Sequence, residues 1–391
     1  MPRAGESLEG SCAVKIGFDV SETCGPKTGV GWYADRLVRS IAAVAPENEY
    51  ILYHRFGDTH LGDPSKGTAL PNGEGHVAYP GLDPIQSGEE WKRVREGKAL
   101  YGNPDIVHAT SFQAPTLQHT KLVYTVFDVT FWVVPQYTFE VNRAKCQKGT
   151  LDAMAAAKGL LFISESCHDE FETVFPGWLS ASGVPWKVTP LGPRDWQSDS
   201  GKQDGVSEKK NFWLFVGSLE PRKNIGTLLS ALEIYWELSD DPVPLKLAGG
   251  DGCETDELKR RIADLESRGL LNYLNYVTEE QLSELYQGAI AFVFPSWYEG
   301  FGLPILEAMS AGCPVITSDR TSLPEVGGDA VVYIDPQSPQ SVAEAMLRLE
   351  KDPALVTDLA KVGRQQAGKF TWEKTARLTL DFYEEVLQSD L

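Results

Sequence analysis

Two series of short apolar runs, each run followed by residues at helical spacing, fill most of the chain. In the first series, residues 14–20 read as a buried strand, and Tyr33, Leu37, Ile41 and Val44 then step at the period of a helix. Strands recur at 49–54, 105–109, 121–129 and 159–164, and residues 57–90, rich in Gly, Pro and Asp, read as a long loop. The polar stretch DWQSDSGKQDGVSEKKN (195–211) reads as a linker or exposed loop near a domain boundary. FWLFVG (212–217) opens the second series, followed by a helix face of Ile225, Leu228, Leu229, Leu232, Tyr235 and Trp236. Further strands are expected at 245–249, 272–277, 289–295, 314–318 and 330–334. Continuous apolar runs belong to strands buried on both faces, which is the condition of a parallel sheet. The alternation therefore predicts two parallel α/β domains. A length of 391 residues with 42% apolar content gives each domain a core of its own.

The formal charge of −19 disfavours a nonspecific polyanion binder, because phosphate neutralisation needs a basic surface. No nucleic-acid partner is expected. None of the six cysteines forms a Cys-x-x-Cys pair, so no zinc ribbon is suggested, and scattered cysteines suit a reducing compartment. Residues 1–13 contain no apolar run of signal-peptide length, and no stretch approaches a membrane span. A cytoplasmic protein is expected. The patch WKRVREGK (91–98) carries Lys92, Arg93, Arg95 and Lys98; it reads as a solvated helix face, with peripheral contact to a lipid phosphate or the inner face of a membrane as the alternative.

Three segments carry chemistry. In FPSWYEGFGLPILEAMSAGCPVITS (294–318), Pro295 ends a strand, Pro304 fits a first helical turn and Gly312 fits the residue past the helix. Glu299 is then expected in a strand-to-helix loop and Glu307 in the helix's first turn, both near the carboxyl ends of the strands where an open α/β sheet binds ligands. Carboxylates there accept hydrogen bonds from sugar or ribose hydroxyls, while Gly300 and Gly302 let backbone N–H groups come close. In GSLEPRKN (217–224), the adjacent cations Arg222 and Lys223 stand at a helix start, where the helix dipole disfavours them unless an anion lies between them. A diphosphate satisfies both. GVGWYA (29–34) matches Gly-x-Gly-x-x-Ala loosely, but its distance from the preceding strand suits a glycine loop reaching across a cleft better than a dinucleotide turn.

Taken together, Glu299-x7-Glu307 and GSLEPRKN resemble glycosyltransferase family 4, whose fold is GT-B: two Rossmann-like domains facing a deep interdomain cleft. The resemblance covers nearly the whole chain, with TGVGWYADRL like the family's N-terminal glycine loop, KVTPLG (187–192) like its interdomain crossover and FTWEKTARLTL (370–380) like its closing helix. It implies an acceptor-binding domain over 1–193, a donor-binding domain over 194–371, and a helix over 372–391 packing back on the first domain.

By this likeness the chain is a hexosyltransferase, of mannosyl, glucosyl or rhamnosyl type. It moves a hexose or deoxyhexose from a GDP- or UDP-linked donor to a hydroxyl of a glycan or lipid-linked acceptor. Transfer proceeds with retention and without metal or other cofactor. Arg222 and Lys223 would grip the diphosphate beside Gly217 and Ser218, Glu299 would reach the transferred sugar, and Glu307 would hold the ribose. Phe301, Gly302 and Leu303 would offer backbone N–H groups, Val277 of NYVTEEQL would meet the base, and Gly29 and Gly31 would approach the phosphates from the other domain.

The sequence departs from the family's pattern at one point. Many relatives carry a histidine where this chain has Phe127 in TVFDVTF. Either Asp128 takes its polar role, or His108 does, or the site is slower; His108 reads equally well as a satisfied buried histidine. A non-catalytic sugar-nucleotide-binding protein is the competing reading. A nicotinamide-dependent oxidoreductase explains residues 29–34 but not the other two segments.

Overall fold

In the computed structural model the described residues are 13–57, 62–70, 76–78, 84–138, 140–194, 211–250, 252 and 256–390. The expected linker lies at 195–211, and all of it but residue 211 falls outside them. Seven strands form the first sheet: β1 (Lys15–Asp19), β2 (Glu49–Tyr53), β3 (His76–Ala78), β4 (Ile106–Ala109), β5 (Lys121–Val126), β6 (Gly159–Phe162) and β7 (Trp186–Val188). Six form the second: β8 (Trp213–Val216), β9 (Leu245–Ala248), β10 (Leu271–Asn275), β11 (Phe292–Phe294), β12 (Val315–Ser318) and β13 (Val332–Ile334). Their spatial orders are β3-β2-β1-β4-β5-β6-β7 and β10-β9-β8-β11-β12-β13, and every pairing is parallel. The fold is two Rossmann-like α/β units. Each order reverses once, between β1 and β4 and between β8 and β11, and such switch points open crevices at the carboxyl ends of the strands.

The two-residue period of a strand explains why both faces of the first sheet are apolar. Ile16, Phe18, Tyr50, Leu52, Ile106 and Val123 share one core with Tyr33, Leu37 and Ile41 of the helix Gly29–Val44. Their neighbours Ile51, Tyr53, Val107, Leu122 and Tyr124 face the other way, toward Trp91 and Phe171. The closing helix Trp372–Gln388 packs along the helix Gly29–Val44 and delivers Tyr383 to the first core. It is also tied to the crossover after β7: Trp372 Nε1 donates to the Pro193 carbonyl at 2.8 Å and Thr375 Oγ1 to that of Pro190 at 2.5 Å.

Two expectations need correction. Residues 57–90 are not one loop. β3 pairs with β2 at the sheet edge, and a helix begins at Pro84 and runs to Arg95, so the basic patch starts on that helix. Its few apolar residues, Trp91 and Val94, carry the burial, and Gly88 masks the helical pattern. The glycine loop is instead the first turn of the helix Gly29–Val44, preceded by Thr28 as N-cap.

Candidate functional site

A cleft of about 560 Å³ lies between the two sheets' carboxyl ends. Its floor comes from the β8/β11 crevice. After β8 the chain makes a single 3-10 turn, Pro221–Lys223, and Asn224 then takes a left-handed conformation (φ 57°) to start the helix Ile225–Leu238. The Asn224 side-chain amide locks this bend by donating to the Pro295 and Pro336 carbonyls at 3.0 and 2.8 Å. Arg222 and Lys223 therefore precede the helix rather than sit in it, and both point toward the loop after β11.

That loop presents Glu299. Its Oε2 accepts from Arg222 Nη1 at 2.8 Å and its Oε1 from Lys223 Nζ at 2.6 Å and Ser296 Oγ at 2.7 Å. The loop backbone is pinned as well: Glu299 N donates to Thr321 Oγ1 at 3.0 Å, and Ser322 Oγ donates to the Glu299 carbonyl at 2.8 Å. On its other edge Arg222 Nε meets Glu220 Oε2 at 2.7 Å, and Ser218 Oγ hydrogen-bonds Glu220 Oε1. Burial pushes the Glu299 carboxyl up, but Arg222 and Lys223 more than reverse this and hold it at about 2. Burial pushes the Lys223 ammonium down, Arg222 adds to that, and Glu299 opposes both. The cluster is a set of ion pairs.

Gly302 caps the next helix, Leu303–Ser310, at φ 95°, a conformation that L side chains rarely adopt. Pro304 lies in its first turn and Gly312 just past its end. Glu307 sits one turn deeper than expected, in the second turn, because the helix starts at Leu303. Its Oε1 accepts from Arg194 Nε at 2.6 Å. Burial pushes the Glu307 carboxyl up while Arg194 pulls it down. The Arg194 guanidinium lies 4.5 Å from the centre of the Trp32 ring, so it joins the first domain's helix to the second domain's carboxylate. Tyr276, thrust outward after the left-handed Asn275, is 79% exposed and borders the cleft beside Val277.

The first domain meets this loop directly. A Cβ on Gly300 would lie 2.3 Å from the Phe127 carbonyl oxygen and 3.1 Å from Asp128 Cβ, so position 300 admits no side chain in this arrangement. Ser164 Oγ donates to the Gly300 carbonyl at 2.6 Å, Tyr298 OH hydrogen-bonds Glu170, and the Glu325 carboxylate accepts from Glu165 N at 3.0 Å. Among the described residues, no group of three or more His, Cys, Asp or Glu is placed to hold a metal ion.

Residues 197–366 match the family described as "Glycosyl transferases group 1". Over 382 residues the chain is 30% identical to O-antigen chain mannosyltransferase B of Escherichia coli, covering 95% of this chain and all of that protein. The chain belongs to the group 1 glycosyltransferases. It is also 35% identical over 191 residues to the serotype-specific mannosyltransferase WbdA of Escherichia coli, covering 48% of this chain and 23% of that one. Among solved structures it resembles sucrose-phosphate synthase from Thermosynechococcus elongatus (TM-score 0.67, 20% identity, 95% and 98% of the two chains). It resembles WaaG, a glycosyltransferase involved in lipopolysaccharide biosynthesis, with a TM-score of 0.63, 17% identity and 94% and 99% coverage. These likenesses match the fold described above.

In this glycosyltransferase the cleft gathers Gly29, Asp128, Gly217, Ser218, Arg222, Lys223, Val277, Glu299, Gly300, Phe301, Gly302, Leu303 and Glu307. Two expected residues are elsewhere. His108 lies in β4, fully buried and away from the cleft. One ring nitrogen, Nδ1, is 2.6 Å from Tyr383 OH and the other, Nε2, is 2.7 Å from Thr125 Oγ1. Burial lowers it to about 3, so it is a neutral core histidine and not an acceptor-binding one. Gly31 is buried in the first turn of its helix, where a Cβ would lie 2.5 Å from the Glu22 carbonyl oxygen; it makes room for packing rather than for phosphate. Asp128 remains at the cleft. Its Oδ1 accepts from Thr130 N at 3.0 Å, and burial pushes its carboxyl up.

Sequence reasoning missed Arg194, Glu220, Trp32 and Tyr276. Glu220 lay in plain view between two singled-out residues. Arg194 follows the crossover with no motif of its own, and only the fold brings it to Glu307.

Proposed function

We propose that this glycosyltransferase moves a hexose, with mannose favoured, from a nucleoside diphosphate sugar to a hydroxyl of a growing polysaccharide, and that it belongs to the retaining family 4. The carrying observation is the crevice between β8 and β11, which sets two cations beside Glu299 and places Glu307 one helix turn deeper. Arg222 and Lys223 stabilise negative charge on the departing diphosphate. Glu299 serves the sugar hydroxyls, Glu307 the ribose and Val277 the base. The bond between the anomeric carbon and the diphosphate oxygen breaks, the bond to the acceptor oxygen forms on the same face, and the acceptor proton passes to the diphosphate.

The O-antigen mannosyltransferase relatives support the sugar and the polysaccharide acceptor. Arg222 and Lys223, once turned from Glu299 to the diphosphate, would take the place of a divalent ion, which supports metal-independent transfer. Among the described residues, Cys24, Cys146 and Cys167 are buried and form no disulfide, which supports work in the reducing cytoplasm. Among the described residues, no helix is long and apolar enough to cross a membrane.

The test is release of free nucleoside diphosphate from a panel of GDP- and UDP-linked mannose, glucose and rhamnose, with and without a mannan acceptor and with EDTA. Acceptor-dependent release from one donor, unaffected by EDTA and giving a product of unchanged anomeric configuration, is expected. Binding of a donor without turnover on any acceptor would instead favour the non-catalytic reading, to which Phe127 lends its weight.

A further inference from the structure

Lys223 is buried beneath the Glu299 carboxylate. Its ammonium lies 4.7 Å from the centre of the Phe294 ring, and its side chain is only 6% exposed. Its hydrogen bond is to Glu299 Oε1, while Glu299 Oε2 takes Arg222 Nη1. The carboxylate thus bridges the two cations with two oxygens, as two oxygens of a phosphate would. With Glu220 on the far edge of Arg222, the two cations and two carboxylates of this cluster cancel in charge. While Glu299 holds Lys223, the ammonium's hydrogen bond is spent inside the cluster, and a diphosphate meets no surplus positive charge there. The backbone of Glu299 is fixed by Thr321 and Ser322, so its side chain can leave by rotation about its own torsions alone.

We propose that Glu299 is an internal competitor for the donor diphosphate: the diphosphate takes over Lys223 and Arg222, and the displaced carboxylate turns to the hydroxyls of the sugar. This rests on the functional reading above. Glu220 is the positioning residue of the exchange. It keeps the Nε edge of Arg222 while the Nη edge changes partner, so the guanidinium stays oriented. Diphosphate binding and delivery of the carboxylate to the sugar become one event, and Glu299 adds sugar contacts while lowering affinity for the bare nucleotide.

Calorimetry with GDP and UDP on the full chain tests this. Glu299→Gln keeps the shape and removes the competing charge. It should bind the preferred nucleoside diphosphate at least about tenfold more tightly than the wild type while transferring sugar more slowly, since a charge-assisted contact no longer has to be broken. The gain should vanish in Glu299→Gln/Lys223→Met. Ser296→Ala, which loosens Glu299 without changing any charge, should tighten binding by about two- to threefold. It keeps the test open should Glu299→Gln fail to fold. Equal or weaker nucleotide binding by a folded Glu299→Gln, or by Ser296→Ala if only that variant folds, overturns the exchange. No binding of either nucleotide by the wild type and by folded Glu299→Gln alike overturns the functional reading along with it.

Discussion

Between β1 and β4 the chain fills its crevice with hydrogen bonds from fixed hydroxyls and backbone N–H groups, whereas between β8 and β11 it lines the crevice with ion pairs. In the first, Asp19 accepts from Ser21 N and Oγ at 3.0 and 2.7 Å and from Ser111 N and Oγ at 3.1 and 2.6 Å. On β4, His108 is closed off between Tyr383 and Thr125, and Thr125 in turn meets Tyr33 OH at 2.9 Å. In the second, Glu220, Arg222, Lys223 and Glu299 satisfy one another by charge. The topology is the same, so the difference lies in what a visiting molecule can replace. A hydroxyl network shaped to one histidine has no substitute in solution. A carboxylate bridging two cations does, because any anion of similar shape can take its place.

The largest effect should come from Glu299→Ala. It strands a buried lysine, so stability should fall by roughly 3–5 kcal/mol. Transfer should fall on the order of 100-fold or more, as two charge-assisted contacts are lost. Denaturant melts and initial rates on the folded fraction separate the two losses. Arg222→Ala comes next, with at least about a tenfold loss of transfer; unchanged kinetics would remove Arg222 from the diphosphate site. His108→Ala should break the likeness between the crevices. It should cost about 2–3 kcal/mol of stability through a cavity and orphaned hydroxyls, with kcat and donor KM of the folded enzyme unchanged.

A smaller effect separates the crevices by pH. His108 is held near 3 against a usual 6.5, so the unfolded chain binds a proton that the folded one refuses. Its stabilising contribution is complete above about pH 6.5 and declines below it, by at most about 1.4 kcal/mol per pH unit. Glu299, held at about 2 against 4.5, contributes fully above 4.5 and loses its share only as pH falls from there toward 2. Urea unfolding should therefore show a slope between about pH 6.5 and 5, to which buried His54 also contributes, that His108→Gln reduces and Glu299→Gln leaves in place. Smallest of all, Arg194→Lys keeps the charge beside Glu307 but loses the guanidinium over the Trp32 ring, and should raise donor KM by a factor corresponding to about 0.5–1 kcal/mol.

The crevice of ion pairs was legible in the sequence and the hydroxyl-filled one was not, for a physical reason. Glu299, Arg222 and Lys223 are close in sequence to prolines and glycines that fix a strand end and a helix start, so their placement follows from local rules. His108 was weighed as a site residue because Phe127 stands where many relatives carry a histidine. Its partners Thr125 and Tyr383 are 17 and 275 residues away, and only the closing helix shows that its ring is satisfied. The strands were readable because apolar runs are long. The start of the helix Pro84–Arg95 was not, because its buried side is narrow and Gly88 interrupts it. Glu307 was placed one turn too early because Gly302, which caps the helix, was weighed for backbone approach and not as the helix boundary.

The chain passes between the two sheets twice, once after β7 and again on entering the helix Trp372–Gln388, and Trp372 and Thr375 bind those passages side by side through Pro193 and Pro190. A single strand of chain between two bodies is a swivel; two fastened strands are a door hinge. Such a joint permits rocking about the line through both passages and resists twist. Fastened at both passages, the two sheets hold the loop bearing Glu299 against the first domain, where Ser164 Oγ donates to the Gly300 carbonyl at 2.6 Å.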